Sequence, residues 1–496
     1  MRPFISSASR TAPLLCRNVM MSAVPSPAAK REGDISDAFA SLSGAEQTPL
    51  PPRFRQLKCE LVEGREPNIQ AAWTDLLDDL KRENQLIAKE RSKVVPEIQF
   101  EDLGTGLESV RDEVRKRGVL VVRNVVPEAE ARAYKTELES YIRDNPSTRA
   151  FPAHDPQVWE LYWSAPQVKA RSHPALLKVQ KLLMSRLWHK TDSSSKISLE
   201  NPLSYADRLR IRQPGDASFA LGPHIDGGGV ERWEKEGYGL AKTYDDIFAG
   251  NVREYDPWDA SKRVDVQMNL YDGLSACSMF RAWQGWLSMS HAGAGEGTLL
   301  VNPLLKLSTA YLLLRPFFRP LLRKQDPGFL EAQNWAFTGM DGMTSDLQGA
   351  TPGRGQELND ELHPHLELDV SMVHVPRIRP GDFVAWHCDT IHAVDKVHSG
   401  KSDSSVLYIP VCPVTDNNAR YLLRQRESFL AGTPGPDFGG GKGESEHIGR
   451  PTADDLRAWT NEMGVQAMGL EKLVSRAGAA PGEVAAVESA NSILGL

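Results

Sequence analysis

A mainly β architecture with flanking helices (α+β), in which a β-barrel or sandwich core sits inside a helical shell, follows from three features of the chain. Between Asp207 and Val414 short strand-like words recur, among them "DRLRIRQPG", "GEGTLLVNP" and "RPGDFVAWHCDTIHAV", set off by proline and glycine. Ahead of them Ile69, Trp73, Leu76, Leu80 and Ile87 repeat at helical spacing through a charged stretch. Behind them Thr452 stands where it can cap a short helix, "TADDLRAWTNEM".

The elements can be justified in order. The only charges in residues 1–31 are Arg2, Arg10, Arg17, Lys30 and Arg31, and serine and alanine are frequent, which is the composition of a mitochondrial transit peptide. A disordered leader, or a shorter form begun at Met20 or Met21, accounts for the same residues. The expected location is therefore cytoplasmic or mitochondrial, and not secreted. Residues 32–55, with "TPLPPRFRQ", read as a linker. The amphipathic helix around Trp73 ends before Pro96. "GVLVVRNVV" (Gly118 to Val126) reads as a buried strand, and Pro127 then opens a helix, "PEAEARAYKTELESYIRD", with acids in its first turn.

In "DRLRIRQPG", Arg208, Arg210 and Arg212 alternate with Leu209 and Ile211, the period of a strand with one polar face. Residues 231–265 read as an insertion, and "SMFRAWQGWLSMS" and "GEGTLLVNP" as further core strands. The apolar run from Leu304 to Phe318 is broken by Lys306 and Arg315 and is too short to span a bilayer, so it reads as a buried helix. Pro380-Gly381-Asp382 supplies turn chemistry between the last strong strands, and "GTPGPDFGGGKGESE" reads as flexible. The expected division is a leader over 1–45, one β-core domain with N-terminal helices over 46–430, and a flexible segment with a helical extension over 431–496.

Composition narrows the function classes. With 496 residues, 41% hydrophobic and 25% charged, the chain can bury an enzyme-sized core. A net charge of -7, without a basic stripe, argues against nucleic-acid binding. The five cysteines form no CxxC pair, which argues against a disulfide framework or a zinc cluster. A small-molecule substrate is the expected partner, with no membrane insertion.

The stretch "LGPHIDGGGVERWE" places His224 two residues before Asp226. On a strand that spacing points both side chains the same way, so one ion can accept both. Two imidazoles and a carboxylate on one face of an ion leave positions open for a co-substrate and dioxygen, the arrangement of non-haem iron(II) oxygenases. The spacing alone is weak evidence. Twelve histidines give roughly one His-X-Asp by chance at ordinary composition, and this chain has a second, His387-Cys388-Asp389. Order separates them: His224 and Asp226 come early and His392 arrives on a late strand, as a barrel site requires. His387 reads as a hydrogen-bonded wall residue near the barrel mouth. The glycines at 227–229 allow a sharp turn after Asp226 without crowding the ion.

"GVLVVRNVVPEAEARAYKTELESYI", "PHIDGG", "GEGTLLVNP" and "RPGDFVAWHCDTIHAV" occur in the order of the motifs of the phytanoyl-CoA-hydroxylase-like 2-oxoglutarate oxygenases, which the chain resembles. "LGPHIDGGGVERWE", "YDPWDA", "FRAWQGW" and "WHCDTIHAV" resemble more closely the YbiU-like family, domain of unknown function 1479, over roughly residues 35 to 470. The resemblance implies a double-stranded β-helix (jelly-roll, cupin-like) core, iron(II) held by His224, Asp226 and His392, and 2-oxoglutarate and dioxygen as co-substrates.

One departure stands out. The resembled oxygenases carry an arginine or lysine about ten residues after the distal histidine, clamping the far carboxylate of 2-oxoglutarate. "SDSSVLYIPV" offers none. Lys401, Arg212, Arg210, Arg208 and Arg281 are the candidate replacements. The three arginines of "DRLRIR" need anionic partners if they face inward and are ordinary surface charge if they face outward. Trp233, Tyr255, Trp258, Trp283 and Trp286 are either walls of a substrate cavity or core packing. An iron(II)- and 2-oxoglutarate-dependent oxygenase is the leading expectation. A metal-dependent isomerase or hydrolase, and an inactive small-molecule sensor on the same fold, are the alternatives.

Overall fold

The computed structural model describes residues 30–43, 49–218, 221–274 and 276–496. Two sheets form its centre. The strands are β1 (Glu97–Gln99), β2 (Val119–Arg123), β3 (Ala150–Phe151), β4 (Val158–Trp159), β5 (Leu209–Arg212), β6 (His224–Ile225), β7 (Trp283–Ser288), β8 (Leu299–Val301), β9 (Gln356–Glu357), β10 (Val373–His374), β11 (Phe383–His387), β12 (His392–Val394) and β13 (Ser404–Tyr408). The larger sheet runs β1-β2-β11-β7-β13-β5-β4-β3 and the smaller β9-β6-β12-β8-β10. Every pairing is antiparallel except β1 with β2. Among the described residues no helix is long and apolar enough to cross a membrane.

The alternation read in "DRLRIR" is present. Leu209 and Ile211 join the main apolar core, while Arg210 and Arg212 project toward the smaller sheet and donate to main-chain carbonyls of Gly297 and Asp395. The arginine face is therefore the inner one. Arg208, Arg210 and Arg212 are 7%, 0% and 0% exposed. β2 is buried along Val119–Val122, as its unbroken β-branched run requires.

Helices enclose the sheets. Glu66–Glu90 buries Ile69, Trp73, Leu76, Leu80 and Ile87 along one stripe, and Trp73 stacks on Phe318 at 4.2 Å. Leu305–Leu314 is buried nearly all round, which explains a run apolar on every face. Glu128–Asp144 and Ala453–Trp459 form where proline and threonine mark their starts. Thr452 makes a capping box with Asp455.

Three segments differ from expectation. Residues 30–43, expected as leader and linker, form an ordered strap: Asp34 caps a short turn over Ile35–Ala38, and Ile35, Ala38 and Phe39 are buried. Sparse apolar residues at single positions fold here because a finished cavity receives them. "GTPGPDFGGGKGESE", expected as flexible, packs on the core through Glu444, whose carboxylate accepts main-chain N–H groups of Tyr162 and Trp163. Residues 231–265, read as an insertion, form short helical turns that bury their aromatics. The transit-peptide reading covers residues 1–31, of which 1–29 lie outside the described residues.

Gly381 turns the chain into β11 at φ +89°, and a Cβ there would lie 1.9 Å from the carbonyl oxygen of Val126. Gly381→Ala is expected to cost more than about 2 kcal/mol and to lower the thermal unfolding midpoint by several degrees. Acid stability provides a second check. Burial holds His363, His365, His387 and His392 neutral, pushing each down to about 3. The unfolded chain protonates these rings near pH 6.5, so their contribution is present above that value and is lost as pH falls toward 3. Glu231 and Glu444, pushed up to about 7 by burial, act oppositely: their contribution is lost as pH rises from about 4.5 to 7. The opposing slopes end below about pH 4.5, where calorimetry is expected to show the midpoint falling steeply; a midpoint that stays flat from about pH 4.5 to 3 contradicts buried neutral imidazoles.

Candidate metal centre

His224 opens β6, and the β6–β12 pairing sets His392 directly opposite it. Their ring centroids are 4.1 Å apart. Asp226 Oδ1 lies 3.9 Å from His224 Nε2, and Asp226 Oδ2 lies 3.7 Å from His392 Nε2. The three groups offer ligand atoms within 4.8 Å of one another, a spacing that one ion with bonds of roughly 2 Å can bridge.

The remaining ring nitrogens fix the tautomers. His224 Nδ1–H donates to the carbonyl of Gly222 at 2.7 Å, and His392 Nδ1–H to that of Thr390 at 3.1 Å. Both Nε2 lone pairs are left facing Asp226. Burial, then the neighbouring His224, pushes His392 down to about 3. Burial acts to raise the Asp226 carboxyl, but His224, His392 and Arg281 outweigh it and hold it below its ordinary range. Two imidazoles with their Nδ1–H groups tied back, and a carboxylate facing both Nε2 atoms, suit a divalent ion. The turn that follows needs its glycines: Gly227 and Gly228 have φ of +78° and +93°, and a Cβ on Gly228 would meet the Met268 carbonyl at 3.0 Å.

A cavity of about 90 Å³ opens on these ligands. Gln284, Trp286, Trp386 and Tyr408 line it from the larger sheet, and Leu299 and Val394 from the smaller. Phe39 of the strap closes it, edge-on to His224 at 4.7 Å. A larger surface cleft of about 600 Å³, near Glu83 and Asp256, is lined by ion-paired side chains and contains none of the ligand set.

Of the residues singled out in the sequence, Trp286, Arg208 and Arg281 line the cavity. Arg281 lies 3.7 Å from Asp226 Oδ2, and Arg208 is paired with Glu160 and Asp207. Arg210 lies beneath Trp286, its guanidinium 5.0 Å from the ring centroid. It donates to Gly297 at 2.9 Å, while its Nε and Nη1 are buried with no hydrogen-bond partner. Burial lowers its pKa.

The others are placed elsewhere. Arg212 is consumed by Asp216 and by the carbonyls of Asp395 and Lys396. Lys401 is exposed on a loop. Trp233 donates its indole N–H to Leu313, and Trp283 packs on Trp258, so these rings belong to the core. His387 is no cavity wall: its ring stacks on Trp188 at 4.8 Å, one nitrogen donates to Pro257, and the other accepts from the Asp389 N–H. With Asp389 paired to Arg232 and Arg263, the second His-X-Asp has no donor left for an ion.

Phe39, Gln284, Trp386 and Tyr408 were missed as cavity residues. Register could have found two of them, since Trp386 lies opposite Gln284 and Tyr408 opposite Trp286. Phe39, in a polar stretch far from the motifs, gave no signal.

Comparison with known proteins places the chain. The Gig2-like family model matches residues 48–470. YbiU of Escherichia coli strain K12 is 29% identical over 436 residues, 84% of this chain and 96% of the relative. The crystal structure of GlcNAc Inducible Gene 2 from Candida albicans, a domain-of-unknown-function-1479 protein, is 32% identical, covers 91% of this chain and 96% of its own, and superposes with a TM-score of 0.80. A Salmonella typhimurium LT2 protein provisionally named an oxidoreductase is 29% identical, covers 86% and 99%, and has a TM-score of 0.69. The likeness to the YbiU-like family read from the motifs is borne out: the chain belongs to the Gig2-like family.

Proposed function

We propose that this protein is an iron(II)-dependent oxygenase that uses 2-oxoglutarate and dioxygen to hydroxylate or otherwise oxidise a small molecule held between the two sheets. The observation that carries the reading is the convergence of His224, Asp226 and His392, with both Nδ1–H groups tied to carbonyls and both Nε2 atoms turned to the carboxylate. The strand order supports a double-stranded β-helix. Strands β5-β13-β7-β11 of one sheet and β6-β12-β8-β10 of the other alternate between sheets along much of the chain.

In this reading His224, Asp226 and His392 hold the metal on one face. Bound there, iron(II) with 2-oxoglutarate supplies dioxygen activation and the oxidising power that removes hydrogen from the substrate. Arg210, which lies beneath Trp286 and behind the cavity's lining, would take the far carboxylate of 2-oxoglutarate. Its register partner Val406 lies on β13, the strand after the distal histidine, so the cation comes from the adjacent strand at the same level of the sheet. Two free donors on a fully buried guanidinium are what a bidentate carboxylate would satisfy. Tyr408 lies close enough to feel that charge. Trp286, Trp386 and Phe39 exclude water and pack the substrate, and Gln284 and Arg281 supply polar contacts beside Asp226. The printed name of the Salmonella relative accords with an oxidative enzyme.

The absence of an arginine on β13 favours a second reading, a metal-dependent isomerase or hydrolase. One experiment separates the two. Protein purified without oxygen and loaded with iron(II) is expected to consume dioxygen and release succinate only when 2-oxoglutarate is supplied. His224→Ala and His392→Ala are each expected to lose metal uptake and at least about 100-fold in turnover. Metal binding without succinate would overturn the oxygenase reading in favour of the second. Arg210→Gln is expected to raise the KM for 2-oxoglutarate by roughly 30- to 100-fold, about 2–3 kcal/mol, with metal uptake intact. Lys401→Gln is expected to change neither quantity.

A further inference from the structure

The second His-X-Asp remains unexplained by any ligand role, yet Asp389 stands at the centre of a fully buried charged cluster with Arg232 and Arg263. Its side chain is 0% exposed. Oδ1 accepts from Arg232 Nη1 at 2.8 Å and from the Tyr244 hydroxyl at 3.0 Å, and Oδ2 from Arg263 Nη2 at 2.5 Å. Burial would raise this carboxyl, but Arg263 and Arg232 overcome that and hold it well below the usual range. The cluster stays ionised in the interior.

What the cluster grips is the metal arm. Arg232 Nη2 donates to the main-chain carbonyl of Asp226 at 2.9 Å, and the Tyr238 hydroxyl donates to the next carbonyl, Gly227, at 2.6 Å. Tyr238 lies under the same Arg232 guanidinium, 5.1 Å from ring centroid to Cζ. Asp389 itself lies three residues before His392, in a segment pinned where Thr390 donates to Gly118 and Asn302 to Ile391. A glycine turn with two residues at positive φ has little stiffness of its own. Here two donors on its carbonyls supply the stiffness from behind.

We propose that Asp389, acting through Arg232, is a positioning residue of the metal centre: one buried carboxylate holds both the Asp226 turn and the segment that delivers His392. This rests on reading His224, Asp226 and His392 as metal ligands. Asp389 touches neither substrate nor metal. Its part is to hold the guanidinium whose second nitrogen fixes Asp226, so that the carboxylate meets both imidazoles. The planar fork of arginine suits this, because its two nitrogens reach two acceptors at once, which a lysine ammonium on the same stem does not reproduce.

The test uses the full chain and cobalt(II) as a spectroscopic probe, added without oxygen. Wild type is expected to take up cobalt(II) with visible ligand-field bands. Asp389→Asn and Arg232→Gln are expected to weaken cobalt(II) affinity roughly 10- to 100-fold and to alter the band positions. Arg426→Gln, which removes hydrogen bonds to the carbonyls of Gly469 and Leu494 in the C-terminal segment, controls for lost packing and is expected to leave affinity and bands unchanged. If Asp389→Asn is insoluble, Arg232→Lys, which keeps the buried charge, decides instead by the same spectrum. Folded variants with wild-type affinity and bands would overturn the assignment alone. Failure of wild type to bind cobalt(II) would overturn the metal reading, and this assignment with it.

Discussion

His392 lies directly opposite His224 in the smaller sheet, and the ligand set depends on that one register pair. A slip of one residue would turn one ring to the other side of the sheet, because strand side chains alternate. The pair is held from several directions. β12 is bonded to β8 on its other edge, and the turn after Asp226 is gripped through its carbonyls. The strands are short, two residues for β6 and three for β12, so register rests on these outside contacts more than on ladder length.

The inward-facing arginines set a second constraint. Burying a guanidinium without a partner is costly, and each of the three meets that cost differently. Arg208 has Glu160 and Asp207, Arg212 has Asp216 and two carbonyls, and Arg210 has one carbonyl and two idle donors. The two satisfied arginines behave as structure. The third keeps two buried donors unspent.

Much of the fold and of the site was legible in the residues, for identifiable reasons. β2, β5, β7, β8, β11 and β12 have local signatures, β-branched runs or strict alternation bounded by glycine and proline, and all formed. The candidate ligands His224, Asp226 and His392 could be brought together because chain order distinguishes one His-X-Asp from the other. The fate of His387 could not be read, since whether a buried imidazole meets a cavity or an indole depends on Trp188 and Trp258, far away in the chain. The same holds for Arg212 against Arg210. They are identical in local pattern, and only the position of Asp216 four residues on separates a spent guanidinium from an open one. The strap was read as a linker because single apolar residues in a polar stretch look alike whether or not a groove awaits them.

That strap ties residues 30–43 to the cavity wall. Phe39 rests on His224, the Ala38 carbonyl accepts the Gly355 N–H beside β9, and Lys30 reaches Asp272. Residue 30 is thus mechanically continuous with the cavity wall, over fewer than a dozen residues. An affinity handle, a fusion partner or a protease cut placed near it is not a neutral choice for anyone handling the protein. Preparations differing only there can differ in how Phe39 sits against His224.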